Sequence, residues 1–567
     1  MDRNLLLAVL LSAAVLMAWS SFTASLRPPD RVPEGEASAP PGAKAAGPAI
    51  PSSLPVVPAT LAAPTAPPAP AQGLPGPDQA QGPERRERIA TELYGAELTS
   101  RGAAIASWEL RSYDEGPRRD SRPIVLTMGL PPWQAALLTP FEELGLGDLS
   151  RASYEVERTS ELEYAFRLAH AGIVVRKLYR FEEGSYAFRL RLELENRSEA
   201  PVSSPFAVQW PAHVNDAPDF RELSLSVLSE GSVVRTQLQS LGRPGFLGFS
   251  SAQPVVELGG GIDWAGIDAP YFIVAIAPDQ PSRARARLVT LEPGISGLAE
   301  VSFEPIEIPP GQTATREYRI YAGPKEHDRL LAFGSAAERS VDLGWDWVTP
   351  LTRFFAWLLH ALYSVIPNYG VGIIVLTVLV RAVTAPLTTR QMRSMERMRL
   401  LQPKIKQLQE KHGDDRQKQS EEMMRLYKTE KVNPLGGCLP MFLQLPVFIG
   451  LFYALRSSID LRQAPFFGWI DDLSAPESLV TIPGLELPVR VLPLLMGASM
   501  VLQQRMTPTP AMDPAQARMM MTIMPIMMTV LFYQFPSGLV LYWMVSNVLA
   551  MAHQRWIGRN IARPAAS

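Results

Sequence analysis

The run YGVGIIVLTVLVRAVTAPLTT, residues 369–389, is apolar apart from one charged side chain, Arg381, near its middle. In an α-helix each residue adds about 1.5 Å, so the run is long enough to cross a hydrocarbon core of ~30 Å. Its length and composition therefore predict a transmembrane helix. The rest of the chain can be placed relative to a bilayer, working outward from this segment.

Four further apolar segments follow and predict further spans. Their approximate bounds are Pro434–Leu455, Val489–Met506, Met519–Phe535 and Ser537–Gln554. A sixth span is predicted in LLLAVLLSAAVLMAWSSFTASL, residues 5–26. A cleaved signal peptide is the alternative there, but the apolar run is longer than the usual core of such a peptide and no clear A-x-A site closes it. We favour an uncleaved anchor, residues 1–27, with its N-terminus in the cytoplasm.

The composition of the 567 residues agrees with a membrane protein and excludes several other classes. Charged residues make up 19% of the chain, below the usual share of about 25%. The formal net charge of -2 excludes the strong overall basicity of a dedicated nucleic-acid-binding protein, so no direct DNA binding is expected. The single cysteine, Cys438, excludes an intramolecular disulfide and any multi-cysteine metal site.

Between the first and second spans the sequence predicts a disordered linker and then a β domain. Residues 28–88 are rich in Pro, Ala, Gly and Ser and contain almost no aromatic residue. Residues 89–325 alternate instead, most clearly from Tyr186 to Leu194, where apolar residues occupy every second position and charged residues lie between them. Further strands are predicted at Val174–Phe181, Pro270–Ile276, Ala286–Leu291 and Thr315–Tyr321. Two packed antiparallel sheets fit this all-β pattern.

The charges of the loops predict the orientation. Twelve basic residues lie in the cytoplasmic candidate loop: Arg390, Arg393, Arg397, Arg399, Lys404, Lys406, Lys411, Arg416, Lys418, Arg425, Lys428 and Lys431. Between Ser457 and Pro488, Arg462 is the only basic residue, among five acidic ones. By the positive-inside rule the first loop is cytoplasmic and the second is external, which puts both termini in the cytoplasm and the β domain in a periplasm.

These observations predict a multi-domain, polytopic α-helical membrane protein with six spans in a 1+5 arrangement. Its remaining segments are an interfacial aromatic helix (342–366), the second span (367–389), a cytoplasmic helical hairpin (390–432) joined at Gly413-Asp414-Asp415, four further spans (433–557) and a short tail (558–567). The charges of the hairpin either form a solvated face or dock ribosomal or targeting partners.

Catalytic signatures are missing from the sequence. There is no G-x-x-x-x-G-K-[ST] motif, the six histidines are scattered without a ligand pair, and Gly259-Gly260-Gly261 lies among strands, where a turn explains it. We therefore expect no enzyme activity, no nucleotide hydrolysis, no cofactor and no metal.

Arg381 is the anomaly, because a cation inside a span costs at least ~2.5–3.5 kcal/mol and usually faces water or a partner. The spans contain no acidic residue to pair with it, whereas uncharged polar side chains recur at membrane depth. These residues are Thr377, Gln444, Gln503, Gln534, Tyr542, Ser546 and Asn547. The pattern predicts a hydrated groove that attracts anionic polypeptide. The alternative is that Arg381 snorkels to cytoplasmic water.

The fifth of the six spans is rich in methionine, which suits contacts with apolar partners of varied shape. The residues concerned are Met519, Met520, Met521, Met524, Met527 and Met528. Ordinary packing is the alternative for any one of them. We expect an apolar slide for a client helix along the third and fifth spans, formed by Phe448, Phe452, Met520, Met524 and Met527.

Four stretches of the C-terminal half together resemble the YidC/Oxa/Alb family of membrane protein insertases. They are QPKIKQLQEKHGDD, EEMMRLYKTEKVNPLGGCLPMFLQLPVFIGLFYAL, SSIDLRQAPFFGWIDDLSAP and FPSGLVLYWMVSN. The resemblance is highly specific from about Leu343 onward. WAGIDAPYF and YRIYAGPKEHDRL resemble, more weakly, the large β-supersandwich domain of Gram-negative members of the family.

The resemblance implies that the protein inserts and folds nascent membrane proteins in the bacterial inner membrane, alone or with the SecYEG translocon and accessory Sec proteins. The ribosome, the signal-recognition receptor and membrane lipids are further expected partners, although the short tail does not match a strong ribosome-binding extension. Arg381 matches the family's groove arginine, and Thr377 and Tyr542 match positions of substrate contact. Trp543 stands where a tyrosine is common, and we expect it to line the groove with Gln444, Ser546 and Asn547.

Two other classes compete with this interpretation. A small-solute transporter would usually show repeated halves, which the 1+5 arrangement does not. A periplasmic sugar-binding or carbohydrate-modifying protein would need paired carboxylates in a cleft, which sequence alone does not identify.

Overall fold

The computed structural model describes residues 83–116, 121–127, 135–214, 218–220, 222–243, 254–411, 416–430, 439–482, 487–506 and 514–561. The predicted anchor and almost all of the predicted linker lie outside these residues. So do Cys438, the predicted hairpin joint at Gly413-Asp414-Asp415 and the last residues of the predicted tail.

The first part of the described chain is built from antiparallel strands. They are β1 Arg86–Ala90, β2 Tyr94–Thr99, β3 Ala104–Asp114, β4 Pro123–Val125, β5 Glu155–Arg158, β6 Glu163–His170, β7 Ile173–Phe181, β8 Ala187–Asn196, β9 Val202–Ser204, β10 Val208–His213, β11 Ser224–Ser229, β12 Ser232–Gln237, β13 Val255–Gly259, β14 Ile262–Asp268, β15 Phe272–Pro278, β16 Ala284–Glu292, β17 Ser296–Phe303, β18 Ile306–Ile308 and β19 Thr313–Pro324. We call residues 84–325 the β domain.

A nine-stranded sheet in the order β12-β11-β14-β15-β19-β8-β7-β6-β5 forms the larger layer. Two four-stranded sheets accompany it, one in the order β10-β17-β16-β13 and the other in the order β1-β2-β3-β4. Strands β14 and β11 contact β17, so the larger sheet packs against a smaller one. One continuous apolar core lies within the domain and includes the fully buried Trp108, Trp210 and Trp264. The predicted all-β domain of packed antiparallel sheets is confirmed.

Buried and more exposed residues alternate along the strands as the sequence predicts. On β8, Phe188, Leu190, Leu192 and Leu194 are buried, and the charged residues between them are exposed or half-buried. The domain begins slightly earlier than the predicted linker boundary at residue 88. Strand β1 starts at Arg86, which is paired with Thr99 of β2, and the side chains of Arg86 and Arg88 both hydrogen-bond to Glu97 on that neighbouring strand.

Helices dominate the rest of the described chain. They are α1 His327–Phe333, α2 Thr349–Val365, α3 Tyr369–Lys411, α4 Arg416–Thr429, α5 Leu439–Ser457, α6 Val491–Met506, α7 Pro514–Phe532 and α8 Ser537–Ile561. A short hairpin of β20 Val480–Ile482 and β21 Leu487–Val489 lies between α5 and α6. We call α2 to α8 the helical part.

A helix is present at each of the five spans predicted after residue 367, although α3 and α8 continue beyond the predicted ends of their spans. Among the residues described, one helical segment, Tyr369–Arg390, is both long and apolar enough to cross a membrane, and Met521–Phe532 is a shorter apolar segment. The count of six spans and their orientation therefore remain predictions.

Helix α3 does not end where the apolar run ends. The sequence interpretation separated the second span at residue 389 from the hairpin at residue 390, whereas α3 continues to Lys411 and contains Pro386 and Pro403. Beyond the apolar run, Leu401 and Ile405 are buried against Met423, Leu426 and Tyr427 of α4. This small apolar contact with α4 stabilises the part of α3 that lies beyond the apolar run, where the sequence is otherwise polar.

The predicted interfacial segment, residues 342–366, is helical only from Thr349 to Val365. The Asp342 carboxylate accepts a hydrogen bond from the backbone N–H of Gly344, which belongs to a turn preceding the helix. Several aromatic side chains of the segment are exposed, with Trp357 at 64%. Exposed aromatic residues in a short helix fit a position at a membrane interface.

Candidate functional site

Helix α8 lies at the centre of the helical part, where it packs against α3, α5 and α6. The apolar core between these helices includes Ile373 and Leu376 of α3, Leu451 of α5 and Leu541 of α8. Polar side chains that project from the same helices meet next to this core. The local sequence is helical and largely apolar, so each polar side chain is held at a fixed helical position.

Arg381 is directed toward α8. Its Nε and Nη2 atoms both donate hydrogen bonds to Oγ of Ser546, at 2.9 and 2.5 Å. The guanidinium is half-buried, and within the described residues no carboxylate forms an ion pair with it. Another side of α3 carries the exposed apolar residues Val378 and Val383. The cation therefore lies at a helix contact, beside neutral oxygen atoms.

A second polar contact joins α5 to α8. The Gln444 side-chain amide donates a hydrogen bond of 2.7 Å to the hydroxyl of Tyr542, which is 1% exposed. Tyr542 and Ser546 are four residues apart, so they share one face of α8. The structure thus brings Arg381, Gln444, Tyr542 and Ser546 together as a polar strip across three helices.

Two predicted groove residues do not join this strip. Thr377 is fully buried, and its hydroxyl donates to the carbonyl of Ile373 in its own helix at 2.6 Å. The side-chain amide of Asn547 donates to Ser499 of α6 at 3.0 Å. Both hydrogen bonds satisfy the polar group locally, and Asn547 links α8 to a different neighbour.

Trp543 belongs to an aromatic cluster. Its ring centre lies 5.0 Å from that of Phe448 and 5.1 Å from that of Phe532, and Phe452 lies beside Phe448 and Phe535 in the same cluster. The structure therefore places Trp543 with the predicted apolar slide. Phe452 is buried, so its ring packs the helices together.

The methionines of the predicted slide differ in their environments. Met524 on α7 is exposed and Met527 is half-buried, while the side chain of Met520 lies outside the described residues. Exposed Ile526 and Val530 accompany Met524 on α7. The described end of this helix therefore offers an apolar surface.

One polar contact between α3 and α8 was not predicted from the sequence. The hydroxyl of Thr389 on α3 lies 3.1 Å from Nε2 of His553 on α8. His553 follows Ser546 by seven residues and Thr389 follows Arg381 by eight, so both lie about two helical turns further along the same helix contact. That spacing could have identified the pair.

The polar strip offers hydrogen-bond donors, acceptors and one fixed positive charge. Within the described part of the chain, no group of His, Cys, Asp and Glu residues could hold a metal ion. A strip of this kind can bind and orient polar groups of a polypeptide at the depth of an apolar helix bundle.

Comparison with known proteins identifies two family models in the sequence. "60Kd inner membrane protein" matches residues 361–564, and "YidC periplasmic domain" matches residues 86–358. Curated relatives named "Membrane protein insertase YidC" include one from Syntrophus aciditrophicus, 35% identical over 99% of this chain and 100% of the relative, and one from Aliivibrio salmonicida, 39% identical over 71% of each chain.

A solved structure described as an active YidC insertase with its first transmembrane domain resolved is 16% identical and covers 82% of this chain and 91% of its own, with a TM-score of 0.34. The family assignment rests on the sequence relatives.

Proposed function

Because the chain belongs to the YidC family of membrane protein insertases, we propose that it inserts nascent membrane proteins into a bacterial inner membrane and assists their folding there. The observation that carries this proposal is the contact of Arg381 with Ser546, a cation at membrane depth with no described acidic partner. A cation held in this way can interact with an anionic segment of a client.

In the proposed mechanism the polar outer segment of a client enters a hydrated groove lined by Arg381, Gln444, Tyr542 and Ser546. The groove shortens the low-dielectric distance that the segment must cross. Arg381 attracts acidic groups, while the polar side chains replace part of their hydration. Asn547 supports the groove through the hydrogen bond that links α8 to α6, and Thr377 lies one helical turn before Arg381 on the same face of α3.

The apolar helix of the client moves along the surface formed by α5 and α7, with Met524 and Met527 as adaptable contacts. Transfer of that helix to lipid is favourable by ~0.8 kcal/mol per buried CH₂. For acidic segments moving outward, the membrane potential adds ~2.3 kcal/mol per charge per 100 mV. These contributions drive insertion without nucleotide hydrolysis, a cofactor or a metal in this chain.

The proposal includes the six-span arrangement, with both termini in the cytoplasm and the β domain in the periplasm. SecYEG and its accessory proteins are proposed partners for complex clients. The basic hairpin of α3 and α4 is proposed to meet the ribosome or the signal-recognition receptor, since it lies on the side where clients arrive.

Substitution of Arg381 tests the proposed groove. Arg381→Lys should keep most of the insertion activity because a compact cation still serves. Arg381→Ala should slow insertion of a client with an acidic outer segment by roughly tenfold, a factor that corresponds to about 1.4 kcal/mol. A client that differs only in having a neutral outer segment should be affected less, because transfer to lipid still drives it.

The measurement is insertion of the two clients into proteoliposomes by purified protein. Arg505→Ala is the matched control, since Arg505 is an exposed arginine in the last turn of α6. Equal insertion of both clients by wild type and Arg381→Ala would mean that Arg381 only reaches toward water, and the groove mechanism would then be abandoned.

A further inference from the structure

Residues 458–475 follow α5 and contact both the β domain and the helical part. We call this segment the outer loop. It is long for a connection, and its polar and apolar groups are divided between two sets of partners.

On the side of the β domain, the outer loop inserts Arg462. The Nη2 atom of Arg462 lies 2.7 Å from Oδ2 of Asp219, and its Nε lies 3.1 and 3.2 Å from the two carboxylate oxygens. These side chains are only 5% and 6% exposed. The Arg462 guanidinium also donates to the carbonyl of Asp114 and lies 5.3 Å from the ring centre of Phe272. Arg462 is therefore buried between one carboxylate, one carbonyl and one ring.

Neighbouring residues extend this contact. The side-chain amide of Gln463 donates to the same Asp114 carbonyl at 2.8 Å. Tyr271 and Ser474 share a hydrogen bond through their side chains. Ile459 is buried in the core of the β domain itself. The outer loop thus contributes to the packing of a domain that precedes it by more than a hundred residues in the chain.

On the opposite side, the outer loop is attached to the helices. The Ser537 hydroxyl donates to the carbonyl of Asp472 at 2.7 Å, and the Gly538 N–H donates to the carbonyl of Leu473 at 2.9 Å, both at the start of α8. Phe466 packs against Gly370 at the start of α3 so closely that a Cβ there would lie 2.0 Å from the ring. Leu473 belongs to the apolar core of the helical part.

We propose that the outer loop is the joint that holds the β domain in one position on the helical part, and that Arg462 is its positioning residue. The buried pair with Asp219 is suited to this role. Removing one partner leaves an uncompensated buried charge, so the pair is satisfied in a single arrangement of the two parts. Solvent cannot replace Asp219 without separating the contact.

A second ion pair across the same contact provides an internal comparison. Arg456 and Glu222 lie 2.5 Å apart, but their side chains are 23% and 44% exposed. Exposed pairs contribute little because water screens them and the side chains lose entropy. If burial of the ion pair is what fixes the β domain on the helical part, removing the charge of Asp219 must have a larger effect than removing the charge of Glu222.

The test uses the full-length protein in lipid nanodiscs, with hydrogen exchange of the outer-loop amides. Asp219→Asn should speed that exchange by roughly tenfold or more, a factor equivalent to about 1.4 kcal/mol. Arg462→Lys keeps the charge but loses the two-pronged geometry, so its exchange should be intermediate. Glu222→Gln is the matched control and should exchange like wild type. Exchange at β7 should stay unchanged in all variants, which shows that the β domain remains folded.

The position of the β domain on the helical part is measured separately, by the distance between two spin labels. The labels are attached at the exposed residues Leu291 of the β domain and Val480 of β20, in a protein in which Cys438 is replaced by Ser. Wild type should give one narrow distribution, and Asp219→Asn a broad one. An unchanged distribution in Asp219→Asn, or an equal response of Asp219→Asn and Glu222→Gln, would overturn the proposal. Neither measurement depends on insertion, so the proposed function stands or fails independently.

Discussion

Lys177 is a fully buried lysine in the β domain. Its Nζ atom donates to the carbonyls of Gly102 and Leu137 at 2.8 and 3.0 Å, and none of the described carboxylates pairs with it. Burial lowers the pKa of Lys177 well below its ordinary value, because the charged form is poorly solvated there. The unfolded chain then binds more protons than the folded one at every pH between the two pKa values.

This imbalance predicts a pH dependence of stability. Since the folded pKa is depressed, the contribution of Lys177 is fully present above the unfolded pKa of about 10.4 and is lost as the pH falls through the folded pKa. The free energy of unfolding of the β domain should therefore rise with pH as the pH approaches the unfolded pKa from below, by up to about 1.4 kcal/mol per pH unit from this group. Lys177→Met should remove that part of the slope.

The measurement is chemical denaturation of the β domain, wild type and Lys177→Met, at several pH values below the unfolded pKa. The difference between the two curves cancels the other titrating groups. Lys177→Met should also leave the two carbonyls without their donor, a constant loss of about 1–3 kcal/mol. Parallel pH curves for the two proteins would contradict the prediction.

At the scale of residues, the sequence identified Arg381 but not its partner. Charge and depth single out Arg381, because one cation in an apolar run is unusual. Several neutral polar residues could have faced it, and Ser546 is separated from it by 165 positions. The resemblance to the family also predicted Trp543 beside Tyr542 in the groove. Packing instead places its ring among Phe448 and Phe532, since neighbours in a helix point about 100° apart.

At the scale of elements, strands were easier to predict than helix ends. The alternation on β8 requires one buried face, so its pattern and its structure agree closely. Hydropathy marks where the apolar surface of α3 ends, but backbone hydrogen bonding continues into the basic segment up to Lys411. A helix ends where its backbone groups find other partners, and that point is not encoded in hydropathy.

The hairpin of α3 and α4 carries a prediction about insertion. Shortening residues 390–431 while keeping the flanking helices joined should impair insertion more than it impairs folding of the helical part. The reason is that α4 contacts the end of α3 through a separate small core, which includes Leu401 and Ile405. We expect insertion to fall by roughly tenfold, the effect of losing about 1.4 kcal/mol of client or partner binding.

Insertion into proteoliposomes and thermal unfolding in detergent would be measured on the same preparations. Lys404→Ala is the matched control, because it removes only an exposed ion pair with Glu430 and should change stability by less than about 1 kcal/mol. A shortened protein that inserts clients at the normal rate would mean that the charges of the hairpin are only a solvated surface.

At the scale of the whole molecule, two apolar cores meet at the outer loop, which contributes Ile459 to one core and Leu473 to the other. The sequence predicted both parts and the external position of this loop. It did not predict that the loop joins them. Asp219 and Arg462 are separated by 243 positions, and neither lies in a periodic pattern that would indicate its partner.

Deletion of most of the β domain provides the last prediction. Every residue proposed to line the groove follows Asp342, and the bonds from Ser537 and Gly538 to the outer loop lie within the helical part. Deleting residues 92–322 while keeping the N-terminal segment should therefore preserve insertion of a simple client to within about twofold, a change of less than about 0.5 kcal/mol.

The deletion should also destabilise the helical part less than the single substitution Asp219→Asn does. Without the β domain, Arg462 is exposed to water. In Asp219→Asn, by contrast, Arg462 stays buried without its carboxylate, which lowers the free energy of unfolding by about 3–5 kcal/mol. Thermal unfolding of the helical part and insertion by both proteins would be compared, with Arg381→Ala in the deletion background as the control that should still lose acidic clients. Complete loss of insertion by a deletion protein whose helices remain folded would assign the β domain a direct part in insertion, because the groove residues would then be insufficient.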